Sequence, residues 1–313
     1  MSTLFAITLP FFALVLCGYL AARQRVLAEA AIPGLNGFVL FFALPCLLFR
    51  FGMNTPVVDL LNPTMLGVYL IAATLIVGVT IRATLSARVP MKDAAFGALV
   101  AAFPNTGFMG VPLLVALLGP AAAGPVICTV LADLFFTSSL CIALARGHAA
   151  EKSAFKQALK GALSNPLPWA IALGALASAT GLRPPGPVDA MVKMLADAAS
   201  PVALFTIGAV LWRAGQHAHS RTPVALYLPV ALVKLLLHPA LVFALGRGAM
   251  ALGLPLTDFQ LTVLTLAAAL PSASNVSLLA ERYGADNGRV ARIILASTAL
   301  AFGTFTGLAA LLI

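Results

Sequence analysis

Ten runs of apolar residues, each close to the length of a membrane-spanning helix, follow one another along this 313-residue chain. They fall at about 3–21, 33–50, 63–83, 94–118, 124–145, 163–180, 190–212, 223–246, 258–280 and 290–313. A helix needs about 20 mainly apolar residues to cross the hydrocarbon core. The runs leave little else: 61% of the residues are hydrophobic and 9% charged, where a soluble domain carries about 25% charge. A soluble fold could not hide this much apolar surface. A soluble enzyme, a nucleic-acid binder and a disordered chain are therefore excluded. No period-two alternation appears, which excludes a transmembrane β-barrel. The fold expected is all-α and polytopic. The N-terminal MSTLFAITLP lacks the basic start of a signal peptide and reads as a retained first span.

The formal net charge of +9 records orientation rather than a nucleic-acid partner. Assigning loops alternately to two sides puts fourteen Lys and Arg residues, Arg289 and Arg292 among them, on one side. The other side receives Arg50, Arg183, Lys193 and Arg247. By the positive-inside rule the first set is cytoplasmic. Both termini then lie outside a cell membrane, the inner one in a bacterium. Cys17, Cys46, Cys128 and Cys141 lie in apolar runs without ligand spacing and read as small buried side chains.

The polar interval 146–162, RGHAAEKSAFKQALKGA, separates a five-span unit at 1–145 from another at 163–313. It reads equally as a basic surface helix or as a solvated linker. The two units repeat one another. Pro10 and Gly18 recur as Pro166 and Gly174, and Pro45, Phe49 and Gly52 recur as Pro201, Phe205 and Gly208, all at an offset of 156. Ala-Ala-Phe-Pro104-Asn105 is echoed by Ala-Ala-Leu-Pro271-Ser272. An odd number of spans per unit turns the second copy upside-down, and inverted repeats suit alternating access.

Two spans are interrupted. PNTGFMGVP, Pro104 to Pro112, sits in the middle of the fourth. Its prolines remove donors, and Gly107 and Gly110 weaken the helix. Asn105 and Thr106 supply polar groups. The ninth span carries Pro271-Ser272-Ala273-Ser274-Asn275. There Ser274 or Asn275 is expected to cap a second half-helix running to Tyr283 and ended by Gly284. Such breaks survive only against protein or a water-filled cavity. Matched breaks in two repeats point to a transport site, where half-helix N-termini would suit an anion.

Buried ionisable residues form a second set. Asp133 lies in the fifth span, and Lys234 and His238 share a face of the eighth. Charges at membrane depth mark ion paths or pair with one another. Asp133 reads as a proton or cation carrier or as a partner of Lys234. Lys234 is also a candidate to meet an anion, and His238 a candidate to bind backbone beside Pro239. Asp197 reads as a surface partner of Lys193.

The chain resembles the auxin efflux carrier family, in its bacterial malonate/malate permease branch. The likeness rests on FVLFFALPCLLF, FPNTGFMGVPLL, SNPLPWAIALGAL, ASPVALFTIGAVL and VKLLLHPAL. It implies ten helices in two inverted five-helix repeats, with helices 4 and 9 crossing as broken helices. It also implies a scaffold of spans 1, 2, 6 and 7, elevator-type movement and a homodimer as the usual assembly. Carried onto this chain, the crossover is Pro104 and Asn105 with Pro271, Ser272, Ser274 and Asn275. The interval between the halves is far shorter than the loop of plant auxin carriers, so auxin is a poor substrate guess.

The expectation is a secondary transporter of a small carboxylate such as malonate or malate, coupled to a proton. Pro104, Asn105, Thr106, Gly107, Pro271, Ser272, Ser274 and Asn275 would form its site. No nucleotide-binding motif, metal cluster or nucleophile with its base is visible, so neither enzyme chemistry nor a cofactor is expected. The alternatives are a sodium-coupled bile-acid-type symporter and an intramembrane sensor or channel.

Overall fold

The computed structural model describes residues 2–56, 62–146, 163–217 and 222–313. They form twelve helical segments and, among the described residues, no strand. The segments are α1 (Ser2–Arg23), α2 (Glu29–Asn54), α3 (Pro63–Thr84), α4 (Met91–Ala102), α5 (Thr106–Leu118) and α6 (Pro120–Arg146). They continue as α7 (Pro166–Thr180), α8 (Gly186–His217), α9 (Val224–Ala251), α10 (Asp258–Ala269), α11 (Val276–Arg282) and α12 (Asn287–Leu312). Seven of them, α1, α2, α3, α6, α8, α9 and α12, are long and apolar enough to cross a membrane. α5, α7 and α10 are apolar but shorter. Each of the ten apolar runs coincides with one helix or, for the fourth and ninth, with two separated by a break. The interval at 147–162 lies outside the described residues, so neither reading of it is decided.

Helix starts follow local chemistry. Asn62 accepts from the N–H groups of Thr64 and Met65 at 2.9 and 3.1 Å, with Pro63 in the first turn. Asn165 serves Leu167 at 3.0 Å, again before a proline. Thr257 and Gln260 exchange bonds in a capping box. These caps satisfy donors that the helix leaves free.

Three interior prolines are accommodated by a common device. Wide π turns at Val39–Ala43, Thr106–Gly110 and Val233–Leu237 end two residues before Pro45, Pro112 and Pro239. A proline ring clashes with the carbonyl four residues back and offers no N–H in return. Widening the preceding turn moves that carbonyl and shifts the bonding register to i→i−5, as in Val111 N–H to Thr106 O. Pro112 therefore bends into α5 instead of ending it. The break in this span is at Pro104 alone.

Glycines set the closest helix approaches. α1 packs on α8 and α2 packs on α7. A Cβ on Gly18 would overlap the Phe205 carbonyl, and one on Gly208 would overlap the Val15 carbonyl. At the other contact, a Cβ on Gly174 would stand 2.5 Å from the Phe49 carbonyl, and one on Gly52 3.1 Å from that of Ile171. The four residues of one contact are the four of the other displaced by 156 positions. Close backbone approach at small residues is how membrane helices gain dispersion contact without a hydrophobic driving force.

The centre is filled by α4 and α10. From Ala94 to Ala102 every residue of α4 is buried, and α10 is buried from Val263 to Ala269. A helix apolar all round belongs in a core. Large apolar side chains on the periphery, among them Leu16, Phe41, Phe42, Leu173 and Leu236, are exposed, as a lipid-facing surface requires. Cys17 is exposed too, which corrects its reading as buried; Cys46 is half-buried, and Cys128 and Cys141 are buried. Lys193 and Asp197 are both exposed on α8, and no ion pair joins them among the described residues.

Gly208→Val should be strongly destabilising, by about 3 kcal/mol or more, because the new side chain meets backbone that cannot step aside. Gly67→Ala, whose Cβ would meet nothing within 4 Å, should be neutral or slightly stabilising. Thermal unfolding in detergent separates the two.

Candidate functional site

The two breaks meet. Pro104 and Ser272 form an isolated antiparallel bridge. Asn105 N–H donates to Pro271 O at 2.8 Å, and Ala273 N–H donates to Phe103 O at 3.0 Å. Ser272 N–H is taken by Ser297 Oγ of α12 at 3.1 Å, and that hydroxyl donates to Ile294 O at 3.0 Å. Thr106 N–H folds back to Pro104 O at 2.8 Å. Backbone groups freed by the two prolines are thus satisfied by the opposite break and by one serine.

Side chains at the crossing stay available. Thr106 Oγ1 and Ser272 Oγ are buried and have no hydrogen-bond partner among the described residues. Asn105 is 3% exposed and does not cap α5. The first N–H groups of α5 have no intrahelical partner either. Pro104 and Pro271 are buried, while Gly107 and Asn275 are partly open. The expected side-chain capping of α11 does not occur: Asn275 sits in helical conformation and makes no cap bond. The backbone carbonyls of Ala273, Ser274 and Asn275 start the helix instead. The end is as expected. Gly284, at φ 64°, closes α11 with bonds from Gly284 N–H to Glu281 O and from Ala285 N–H to Ala280 O.

A cleft of about 470 Å³ reaches this crossing from one side. Ser274, Asn275 and Ser277 line its inner wall, and Asn36 of α2 and Arg213 of α8 line the facing wall. Asn105, Thr106 and Ser272 lie buried behind that inner wall and do not line it.

The buried charges assemble elsewhere, around α3, α6, α9 and the end of α10. Asp133 accepts from Tyr69 OH at 2.8 Å and from Thr137 Oγ1 at 2.9 Å. Lys234 Nζ donates to Ala268 O, in the last turn of α10, and lies 3.2 Å from His238 Nδ1. Asp133 and Lys234 form no direct ion pair among the described residues. Tyr69, the donor to Asp133, has its ring 5.8 Å from that of His238. Lys234 is therefore spent on a backbone carbonyl rather than offered to the crossing, and His238 faces Lys234 rather than the backbone beside Pro239.

Known proteins similar to this chain are membrane transporters by name. The profile of the family described as "Membrane transport protein" matches residues 3–308. A protein of Rhizobium meliloti (strain 1021), named "Putative malonate transporter", is 31% identical over 98% of this chain and 95% of its own length. An "Uncharacterized transporter YfdV" of Escherichia coli (strain K12) is 26% identical over 88% of this chain and 87% of its own.

The chain belongs to the membrane transport protein family. It is thus a multi-pass membrane transporter of the auxin efflux carrier type, and not an enzyme.

Sequence reading missed several residues of this transport protein. Tyr69, in the apolar run LGVYLIAATL, was visible only as an isolated phenol at membrane depth. Thr137 lies one turn from Asp133. Ser297 looked like any hydroxyl in a span. Arg289 is corrected: it is no loop charge but 2% exposed. It donates from Nε to Leu226 O and from Nη1 to Asp93 O, both at 2.9 Å, tying α12 to α9 and α4.

Ser297→Ala should cost about 1–3 kcal/mol, the penalty of leaving the buried Ser272 N–H unsatisfied. Thr74→Ala, at an exposed hydroxyl bonded within its own helix, should cost much less. Melting temperatures of the two variants in detergent provide the check.

Proposed function

We propose that this protein is a secondary transporter of a small carboxylate, with malonate as the first substrate to test, and that the crossing of the two broken helices is its binding site. The observation that carries the reading is the bridge at Pro104 and Ser272. Around it two buried hydroxyls, Thr106 Oγ1 and Ser272 Oγ, lack partners among the described residues, and a cleft approaches over Ser274 and Asn275. Unpaired polar groups at membrane depth are costly unless a ligand or water meets them. Asn105, Thr106, Ser272, Ser274 and Asn275 would hold the carboxylate. Pro104, Gly107 and Pro271 keep the backbone open.

The reading includes ten membrane crossings in two inverted sets of five. Its support is that eight of the ten apolar runs coincide with one helix each, and the fourth and ninth with two segments parted by a break. The matched glycine contacts, Gly18 with Phe205 and Gly174 with Phe49, also support it. Those contacts join α1 to α8 and α2 to α7, which would make a rigid scaffold for an elevator movement of the crossing. The cleft runs between that scaffold and α11, as one open end of an alternating-access cycle would. By the charge count, the side carrying Arg213 is cytoplasmic and both termini lie outside. The name of the Rhizobium meliloti relative makes malonate the substrate of choice for a first assay.

Asn105→Ala and Asn275→Ala should each lower saturable uptake of labelled malonate in proteoliposomes. Losing a hydrogen bond to a charged ligand, worth about 1.5–3 kcal/mol, corresponds to roughly ten- to hundredfold. Wild-type uptake by both variants, with their melting profiles intact, would remove the crossing as the binding site.

A further inference from the structure

Four ionisable side chains, Tyr69, Asp133, Lys234 and His238, are each fully buried in one cluster that makes no contact with the cleft. Its geometry is unusual in two respects. Among the described residues, the carboxylate of Asp133 is held by two hydroxyls, with no cation in direct contact. Among the same residues, the ammonium of Lys234 is held by a backbone carbonyl and an imidazole, with no carboxylate in direct contact. The two meet around Tyr69, which donates to Asp133 and whose ring lies 5.8 Å from that of His238, the neighbour of Lys234. Among the described residues, Asp133 is faced by Tyr69 from α3, Cys128 and Cys141 from its own helix, and Lys234 with His238 from α9.

The position of Lys234 gives the cluster a mechanical meaning. Ala268 lies three residues before Pro271, in the last turn of α10, where carbonyls have no intrahelical donor. The C-terminal ends of interrupted helices attract cations, and in many transporters a coupling metal ion is bound there. Here the ammonium of Lys234 already occupies that place. It is a cation tethered to α9 that holds the end of α10 where the crossing begins.

We propose that the Asp133 cluster is the site of the coupling proton, and that the fixed charge of Lys234 makes proton and anion move together. The proposal rests on the reading of the crossing as an anion site. With the site empty, the Asp133 carboxylate and the Lys234 ammonium cancel. A proton entering forms an O–H bond on the Asp133 carboxylate, which leaves Lys234 uncompensated and the buried cluster at +1. One negative charge bound at the crossing, adjacent to the Ala268 turn, restores neutrality. Proton alone or anion alone leaves a net buried charge, and such charges are expensive at membrane depth. Only the empty and the doubly loaded carriers cross readily. One proton on Asp133 accompanies a substrate that carries one negative charge, as hydrogen malonate does, and sodium is not required.

The test uses the full chain in proteoliposomes with malonate as probe. Counterflow, the exchange of labelled for unlabelled malonate at equal pH, reads the anion site alone. Accumulation against an imposed pH gradient reads coupling. Wild-type accumulation should be the same with sodium or choline outside. Asp133→Asn, locked neutral, should keep counterflow and lose pH-driven accumulation by roughly tenfold or more, a typical coupling between sites. Tyr69→Phe, which removes one donor from the carboxylate, should keep the maximal rate and move the midpoint of the pH profile by about half a unit or more. A third measurement needs no substrate. In pH-difference infrared spectra of the purified protein in lipid, a protonated carboxyl band should titrate in wild type and be absent in Asp133→Asn. Absent counterflow in wild type would sink the anion reading and leave the infrared result to decide the proton site. Retained pH-driven accumulation in Asp133→Asn, or an unchanged carboxyl band, would overturn the proton-site proposal itself.

Discussion

A pair of backbone hydrogen bonds, between Asn105 and Pro271 and between Ala273 and Phe103, is the constraint on which the rest of this structure depends. Lipid offers no partner to a free N–H or carbonyl, so a spanning helix normally keeps all its bonds within itself. Two prolines at mid-span break that rule twice. The breaks are tolerable because they are placed against each other, each supplying the donor and the acceptor the other lacks. That arrangement demands close backbone approach, and close approach demands small residues. Hence α4 and α10 end in alanines, and Gly110 lies where a Cβ would stand 2.6 Å from Leu270 Cδ1. It also demands that nothing else compete for the centre, which is why α4 is buried on every face from Ala94 and α10 from Val263.

Much of this was legible from the chain. Hydrophobic run length placed the helices because the bilayer fixes how many residues a span needs. The breaks at Pro104 and Pro271 were legible because proline removes a donor whatever surrounds it. Pro112 was not, since its effect depends on whether the preceding turn can widen, and a residue list does not show that. Nor was the start of α11. Asn275 has the right chemistry for a cap but is held in helical conformation, where its side chain cannot reach back. Long-range partners were the least legible of all. Lys234 and Ala268 are 34 residues apart, and Tyr69 and Asp133 are 64 apart. No local period encodes either pairing.

Arg289 shows how a good rule can hide a second role. Counted among the basic residues on the cytoplasmic side, it supports the positive-inside count. Yet it is folded inward, and its guanidinium binds two carbonyls at the mouths of α4 and α9. Gly97 leaves the room: a Cβ there would stand 2.7 Å from Arg289 Nη1. Asp93 and Asp286 complete the junction, with Asp286 N–H donating to Asp93 Oδ1 at 2.8 Å. One arginine therefore joins the helix leading into the first break, the helix bearing Lys234 and the last helix of the chain. These elements are held as one block, whereas the cleft separates α11 from the walls formed by α2 and α8.

That division bears on how a carrier of this kind could couple two ligands without direct contact between them. The crossing, the Arg289 junction and the Asp133 cluster all reside on α3 to α6 and α9 to α12, and the glycine-packed pairs α1–α8 and α2–α7 hold none of them. If the first group moves as a unit, as proposed, every charge in it crosses together, and the energy of the move depends on their sum rather than on any one site. A fixed cation, a titrating carboxylate and an anion site then need only share a rigid body to be coupled. No chain of side chains must relay a signal between them, and the tether from Lys234 to Ala268 matters because it keeps the cation in the body that moves.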